Sequence, residues 1–373
     1  MPWVVLGLAY FRNQEFAQLC LDQAFRDNFT GMPLKMVFSV VTAVVGVRTI
    51  GSLRREAFVA KQLGQYHLRE KLGSGGMGDV YLAEHQMMKR PCAIKLIRPE
   101  RAGDPRVLAR FEREVRATAK LSHWNSIDIY DYGRTEDGTF YYVMEFLPGH
   151  NFGELVELCG PVPAARIVYL MRQICEALAE AHGQGLIHRD IKPANMFCAY
   201  RGGLYDVAKL LDFGLAKPLL SSTEAKDPNL TQEGSITGSP LYMSPEQAAG
   251  VDEVDGRSDI YSLGAVMYFL ATGKPPFDYP NPLRVLAAHA GETPNPPGGL
   301  NPKIPGELSA VILRCLEKEP RDRFPSATAL GAALGRIPLK VLWTHAQAAE
   351  WWNCHECPKR KARAVTALEM AAG

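Results

Sequence analysis

The chain has 373 residues, enough for one large two-lobed domain or two ordinary ones with a little extra. Hydrophobic residues make up 47% and charged residues 22%, and 42 Lys and Arg stand against 40 Asp and Glu, an ordinary globular balance with no bulk electrostatic pull toward DNA or RNA. The eight cysteines are scattered, which reads as reduced thiols and argues against a disulfide framework. Cys354 and Cys357 form the only close pair, and a zinc site there would need two further ligands, with His345 and His355 the nearby histidines.

The first 65 residues differ from the rest. Met36 to Val47 is an uncharged run rich in β-branched residues. At about 1.5 Å per residue it falls short of a bilayer core of about 30 Å. Extended over 32–50, with Lys35 and Arg48 snorkelling to the two interfaces, it becomes a candidate membrane segment. Arg48, Arg54, Arg55 and Lys61 then supply the basic flank expected on the cytoplasmic side. A buried strand or core helix of a small N-terminal domain is the competing reading. The start of the chain lacks a basic n-region, so a cleavable signal peptide is not expected.

From Tyr66 short β-branched runs separated by turns predict strands at Tyr66–Leu72, Asp79–Glu84, Cys92–Leu96, Ile127–Tyr132 and Thr139–Glu145. One helix, Arg106–Leu121, is interposed, with Val107, Phe111, Val115 and Thr118 at helical spacing. After Pro148-Gly149 the pattern turns helical, over Pro163–Gly183, Asp259–Thr272 and Glu307–Leu316. A small antiparallel β lobe joined to a larger, mainly helical lobe is an α+β bilobal fold, and the cleft between lobes is the expected ligand site. The tail after Pro338 carries Trp343, Trp351 and Trp352 and then a basic cluster, Lys359 to Arg363. A C-terminal helix with a solvated basic end is expected there, with packing on the large lobe or contact with a membrane surface as alternatives.

Three fragments in one order carry the functional signal: Gly73-Ser74-Gly75-Gly76-Met-Gly78-Asp-Val80, then His188-Arg189-Asp190-Ile-Lys192-Pro-Ala-Asn195, then Asp212-Phe213-Gly214. Alone, the glycines would be a weak signal, shared with dinucleotide-binding turns. In this order, residues 66–338 resemble a bacterial serine/threonine protein kinase of the eukaryotic (Hanks) type, with a small lobe at 66–145, a large lobe at 149–338, an N-terminal region at 1–65 and a tail at 339–373.

The resemblance implies ATP and Mg²⁺ as cofactors and assigns roles. Leu72, Gly73, Ser74, Gly75, Gly76, Gly78 and Val80 would cover the nucleotide, the glycines leaving backbone N–H groups close to phosphate. Ala93 would join the nucleotide-binding set, and Lys95 of Cys-Ala-Ile-Lys would bind the α- and β-phosphates, ion-paired to Glu114 with Glu112 as the rival partner. Met144 occupies the gatekeeper place, and the backbones of Glu145 and Leu147 would bond the adenine edge. Asp190 is the expected general base, Lys192 the γ-phosphate contact, and Asn195 and Asp212 the metal ligands. Lys192 also marks the acceptor class as Ser/Thr.

Arg189, beside the base, is a ready partner for a phosphorylated activation segment, where Thr231, Ser235 and Thr237 are the candidate autophosphorylation sites. Ser239 stands where the family has a Thr facing the catalytic Asp. Phe213 and Gly214 complete the metal loop, Glu246 should pair with Arg323, and Asp259 should cap the catalytic loop's backbone. Two departures from the family pattern stand out: Trp124 in place of a proline, and the Tyr200-Arg-Gly-Gly203 insertion that lengthens a hairpin. The expected partners are protein substrates with Ser/Thr acceptors, a second copy for trans-autophosphorylation and a membrane, and no nucleic acid. The expected location is the bacterial inner membrane with the kinase domain in the cytoplasm, or else the cytoplasm. The alternatives are a nucleotide-binding pseudokinase acting as a scaffold and a small-molecule kinase. The first is disfavoured by the complete set Lys95, Glu114, Asp190, Asn195 and Asp212, the second by the long activation segment.

Overall fold

The computed structural model describes residues 62–74, 78–97, 112–113, 115–135, 138–213, 240–251 and 254–354. The candidate membrane segment at 32–50 lies outside them, and among the described residues no helix is long and apolar enough to cross a membrane.

The small lobe is a sheet of β1 (Gln62–Leu63), β2 (Tyr66–Ser74), β3 (Gly78–His85), β4 (Pro91–Ile97), β5 (Ile129–Arg134) and β6 (Phe140–Glu145), in the order β1-β2-β3-β4-β6-β5. The five expected strands are β2 to β6, paired antiparallel. β5 starts at Ile129, later than the β-branched run suggests, because the Ile127 N–H is donated to the Leu210 carbonyl of the large lobe. The interposed helix is seen over 112–118, residue 114 apart, with Val115 and Thr118 buried; its last turn tightens where Leu121 N–H meets the Thr118 carbonyl. Gly78 is demanded by packing as well as by any phosphate, since a Cβ there would sit 1.8 Å from the Leu96 carbonyl of β4.

The large lobe contains α1 (Phe152–Cys159), α2 (Ala164–Gly183), α3 (Pro245–Ala248), α4 (Gly256–Thr272), α5 (Pro282–Gly291), α6 (Pro297–Leu300), α7 (Gly306–Cys315), α8 (Ala327–Gly335) and α9 (His345–Cys354). A small second sheet, β7 (Gly149–Asn151), β8 (Met196–Arg201) and β9 (Leu204–Leu210), lies among them. Caps explain several boundaries: Asn151 and Glu154 form a capping box at α1, Asp255 caps α4, and Gly273 at φ +79° ends α4 in the left-handed conformation. α4 is buried on nearly every side and forms the centre of the lobe. Its Gly264 admits α7, for a Cβ there would lie 2.5 Å from that of Cys315.

The tail is part of this body. α9 packs against β9, and Trp352 is fully buried between His150 and Tyr205, with ring centroids at 5.4 and 6.0 Å. Beneath it lies a fully buried ion pair, Arg166 of α2 and Asp206 of β9, joined by two hydrogen bonds of 2.8 Å. The indole N–H groups of Trp343 and Trp352 also donate to the Asp206 carboxylate, at 2.8 and 2.5 Å, as does the Cys198 thiol at 2.9 Å. The Arg166 guanidinium lies against the Trp351 ring at 3.8 Å and the Trp343 ring at 5.1 Å. A buried charge pair is costly unless further donors and acceptors surround it, and the tryptophans of the tail supply them to Asp206, while Arg166 Nη1 has no hydrogen-bond partner among the described residues. Replacing Trp352 by Ala should therefore cost about 3–5 kcal/mol of stability. A chain cut after Pro338 should show at least the same loss in urea unfolding, and an unchanged midpoint in both would show that the tail does not support the fold.

Candidate active site

The residues expected to surround an adenine come together in the cleft. Ala93, Met144, Tyr142, Val115, Phe140, Ile127 and Ile97 form one buried cluster, with Leu72, Val80 and Leu147 packed against it from the small lobe and hinge and Leu211 from the large lobe. Leu211 and Tyr142 are additions that motif reading did not single out. Gly73 and Ser74 end β2, and the Ser74 hydroxyl donates to Asp79 at 2.5 Å across the loop; Gly75 and Gly76 lie outside the described residues.

Lys95, 7% exposed, projects from β4 and donates to Asp212 Oδ2 at 2.7 Å. Glu114 lies outside the described residues. Its rival, Glu112, is committed elsewhere, to Arg134 at 2.6 Å on the surface of the small lobe. The other oxygen of Asp212 accepts the Tyr142 hydroxyl at 2.6 Å. Burial works to raise the Asp212 pKa, but the Lys95 charge and the hydrogen bonds from Lys95 and Tyr142 outweigh it, and the carboxyl is held below its ordinary value. Tyr142 is pushed well above its ordinary value by burial and by the Asp212 charge, so it remains a donor.

The catalytic loop is organised by one carboxylate. Asp259 of α4 accepts the His188 N–H on Oδ2 and the Arg189 N–H on Oδ1, both at 2.8 Å, and His182 Nε2 meets Oδ2 at 2.8 Å. Arg189 is held at φ +61°, a conformation costly for a side chain other than Gly, and the two bonds to Asp259 fix it there. His188 lies against Phe213 with centroids at 4.6 Å and donates Nε2–H to the Leu211 carbonyl at 2.8 Å. Its Nδ1 accepts the Asp190 N–H at 3.3 Å, so the ring is the neutral Nε2–H tautomer. Burial, which lowers its pKa, favours that neutral form.

Asp190, 7% exposed, has its Oδ2 held by Lys192 Nζ at 2.8 Å and Asn195 Nδ2 at 3.0 Å. Asn195 Nδ2 also reaches the Asp190 carbonyl at 2.8 Å, which turns its Oδ1 away from that carboxylate. The Leu211 N–H donates to the Asn195 carbonyl at 2.9 Å, so Asn195 and Asp212 are neighbours across the start of β8 and the end of β9. An amide and a carboxylate are hard-oxygen donors of the kind Mg²⁺ takes, and Asn195 and Asp212 are the two expected ligands. No group of three or more His, Cys, Asp or Glu side chains arranged for a metal is found among the described residues.

The two departures from the family pattern meet at the hinge. Glu145 Oε1 is held by Lys209 of β9 at 2.5 Å and Oε2 by Arg201 of the lengthened hairpin at 2.6 Å. The Arg201 guanidinium lies over the Trp124 ring at 4.3 Å and pairs with Asp128 at 2.7 Å. Trp124 and the insertion thus bear on the hinge.

At the far side of the large lobe Glu246 and Arg323 pair through two bonds of 2.7 and 2.8 Å. Arg323 also donates to the carbonyls of Glu317, Lys318 and Arg257, and Ser258 donates to Glu246. Gln247 Nε2 donates to the Arg189 carbonyl at 3.0 Å, tying this anchor to the catalytic loop. Gly214, Thr231, Ser235, Thr237 and Ser239 lie outside the described residues.

Known proteins resemble this chain in sequence and in fold. Residues 66–333 match the family model described as a protein kinase domain. The chain is 38% identical over 285 residues to the serine/threonine-protein kinase pkn3 of Myxococcus xanthus, covering 76% of this chain and 52% of that protein. It is 40% identical over 319 residues to the probable serine/threonine-protein kinase PknB of Corynebacterium glutamicum, covering 82% of this chain and 47% of that one. The chain therefore spans about half the length of the curated relatives it matches. The crystal structure of the Mycobacterium tuberculosis PknI kinase domain is similar at a TM-score of 0.58 and 27% identity, covering 74% of this chain and 98% of that one.

Burial works to raise the Glu246 pKa, but hydrogen bonds from Arg323 and Ser258 and the Arg323 charge hold it below its ordinary 4.5. A depressed carboxyl stabilises the fold fully above the unfolded value and loses that contribution as pH falls through the folded one. Arg323→Ala should cost about 3–5 kcal/mol at neutral pH. The stability gap between the parent chain and Glu246→Gln should shrink as pH drops below 4.5, and a gap independent of pH in acid unfolding would contradict this account of the pair.

Proposed function

Because the chain belongs to the protein kinase family, we propose that it is an ATP- and Mg²⁺-dependent serine/threonine protein kinase, with its chemistry carried by residues 66–338. The observation that supports this most is the convergence at the end of β9. There Lys95 and Asp212 from opposite lobes are joined, one residue away from the strand contact that brings in Asn195 and the Asp190 loop.

Phosphoryl transfer asks a protein for positioning and charge neutralisation more than for covalent chemistry. Lys95 would draw the α- and β-phosphates into the cleft, with Glu114 as its small-lobe partner, and the cluster around Ala93, Met144 and Leu72 would take the adenine. The bond from the β–γ bridging oxygen to γ-phosphorus breaks as the acceptor hydroxyl oxygen bonds to that phosphorus. The hydroxyl proton passes to the Asp190 carboxylate, which Lys192 and Asn195 orient. Asn195 and Asp212 would hold Mg²⁺, which supplies charge neutralisation on the phosphates.

In the finer reading, Thr231, Ser235 or Thr237 is phosphorylated in trans by a second copy, Arg189 receives that phosphate, and 32–50 anchors the chain at a membrane. A scaffold that binds nucleotide without turnover is the rival reading. The complete catalytic set speaks against it.

The purified 373-residue chain with γ-labelled ATP and Mg²⁺ should label Ser/Thr residues, and Asp190→Asn should lower the rate by at least about 10²-fold, the scale of a lost general base. Mapping the label by mass spectrometry tests the segment 212–246. Nucleotide binding without any labelling would favour the scaffold.

A further inference from the structure

We propose that Tyr142 is a positioning residue of this active site, holding the carboxylate of Asp212 as a metal ligand while Lys95 turns to the nucleotide. The proposal rests on the reading of Asp212 as a metal ligand.

The strand register creates the arrangement. Lys95 of β4 and Tyr142 of β6 are directly paired, so their side chains emerge side by side on the cleft face of the sheet. Along β6 the faces alternate, with Tyr142 and Met144 toward the cleft cluster and Tyr141 on the opposite face against Gly133. The ammonium and the phenol then reach the same carboxylate, Lys95 on Oδ2 at 2.7 Å and Tyr142 on Oδ1 at 2.6 Å.

Asp212 needs such a hold. It sits at φ +51°, where a side chain other than Gly is strained, and such a conformation persists only when its surroundings determine it. The two donors are unequal in what they are free to do. Lys95 carries its charge on a flexible stem, and the proposed function shares it with the α- and β-phosphates. Tyr142 is a stiff aromatic in the buried core of the small lobe, 1% exposed, and its hydroxyl stays where the strand puts it. A hydrogen bond to one lone pair of a carboxylate oxygen leaves the other lone pairs for a cation. Tyr142 thus fixes the carboxylate's orientation before and after nucleotide arrives, as an outer partner of a metal ligand does.

The test is Mn²⁺ binding by electron paramagnetic resonance to the full 373-residue chain in the presence of ADP. Tyr142→Phe keeps the ring and removes only the hydroxyl; it should weaken Mn²⁺ binding on the order of tenfold. The Mg²⁺ concentration for half-maximal activity should rise in proportion, while metal-free ADP binding stays as in the parent. Tyr141→Phe, on the other face of β6, should leave both metal constants unchanged. Unchanged or tighter Mn²⁺ binding in Tyr142→Phe, alongside loss of the metal in Asp212→Asn, overturns the role of Tyr142 alone. Mn²⁺ binding undiminished in Asp212→Asn overturns the ligand reading and this proposal with it.

Discussion

The β8–β9 hairpin is the member on which the cleft depends, and charged side chains along it hold it to two different partners. Asn195 enters it and Asp212 leaves it, so its position sets how the two expected metal ligands face each other. Toward the hinge, Lys209 and Arg201 of the hairpin grip the two oxygens of Glu145. In the middle of β9, Asp206 is locked to Arg166 of α2 and to the tail's indoles. Charges removed from water tolerate no loose geometry, because every unpaired donor or acceptor costs the full desolvation of that group.

The same economy of buried polar groups runs through the catalytic loop. Asp259 lies at the start of the most buried helix of the lobe, a place no carboxylate occupies without compensation. Two backbone N–H groups and His182 compensate it, and in doing so they impose the left-handed conformation of Arg189 that turns Asp190 into the cleft. Burial works to raise the Asp259 pKa, yet His182 and the hydrogen bonds hold it below its ordinary value, so the anchor stays charged. Gln247 then links this loop to the Glu246–Arg323 anchor, so that the ordering of the loop and the integrity of the large lobe are one problem.

Much of this was legible in the chain because the chemistry is local. The Gly-rich turn, the His-Arg-Asp loop and Asp-Phe-Gly are short runs whose residue types must be adjacent, and the strands and helices around them follow from period and turn residues. Long-range pairs were legible only where a known family pattern joins them, as with Glu246 and Arg323. The Glu112 alternative fell to an unremarkable fact, a surface arginine from β5 that no local pattern connects to it. Trp124 and the hairpin insertion each looked like a loop variation. Their meeting beside Glu145 depends on the packing of two lobes.

By itself, the sequence determined the α+β bilobal architecture and the order of the strands along the chain, since period, turn chemistry and motif spacing act within a few residues of the chain. The tertiary structure decided which charges meet. Tyr142 reads as one more aromatic in a strand until the β4–β6 register sets it beside Lys95 and the other lobe brings Asp212 to both. The tryptophans of the tail read as a helix beside a basic cluster until Asp206, far away in the chain, demands their N–H groups. Hydrogen bonding acts over about 3 Å in space and is indifferent to separation along the chain, so these partners exist only once the chain has folded.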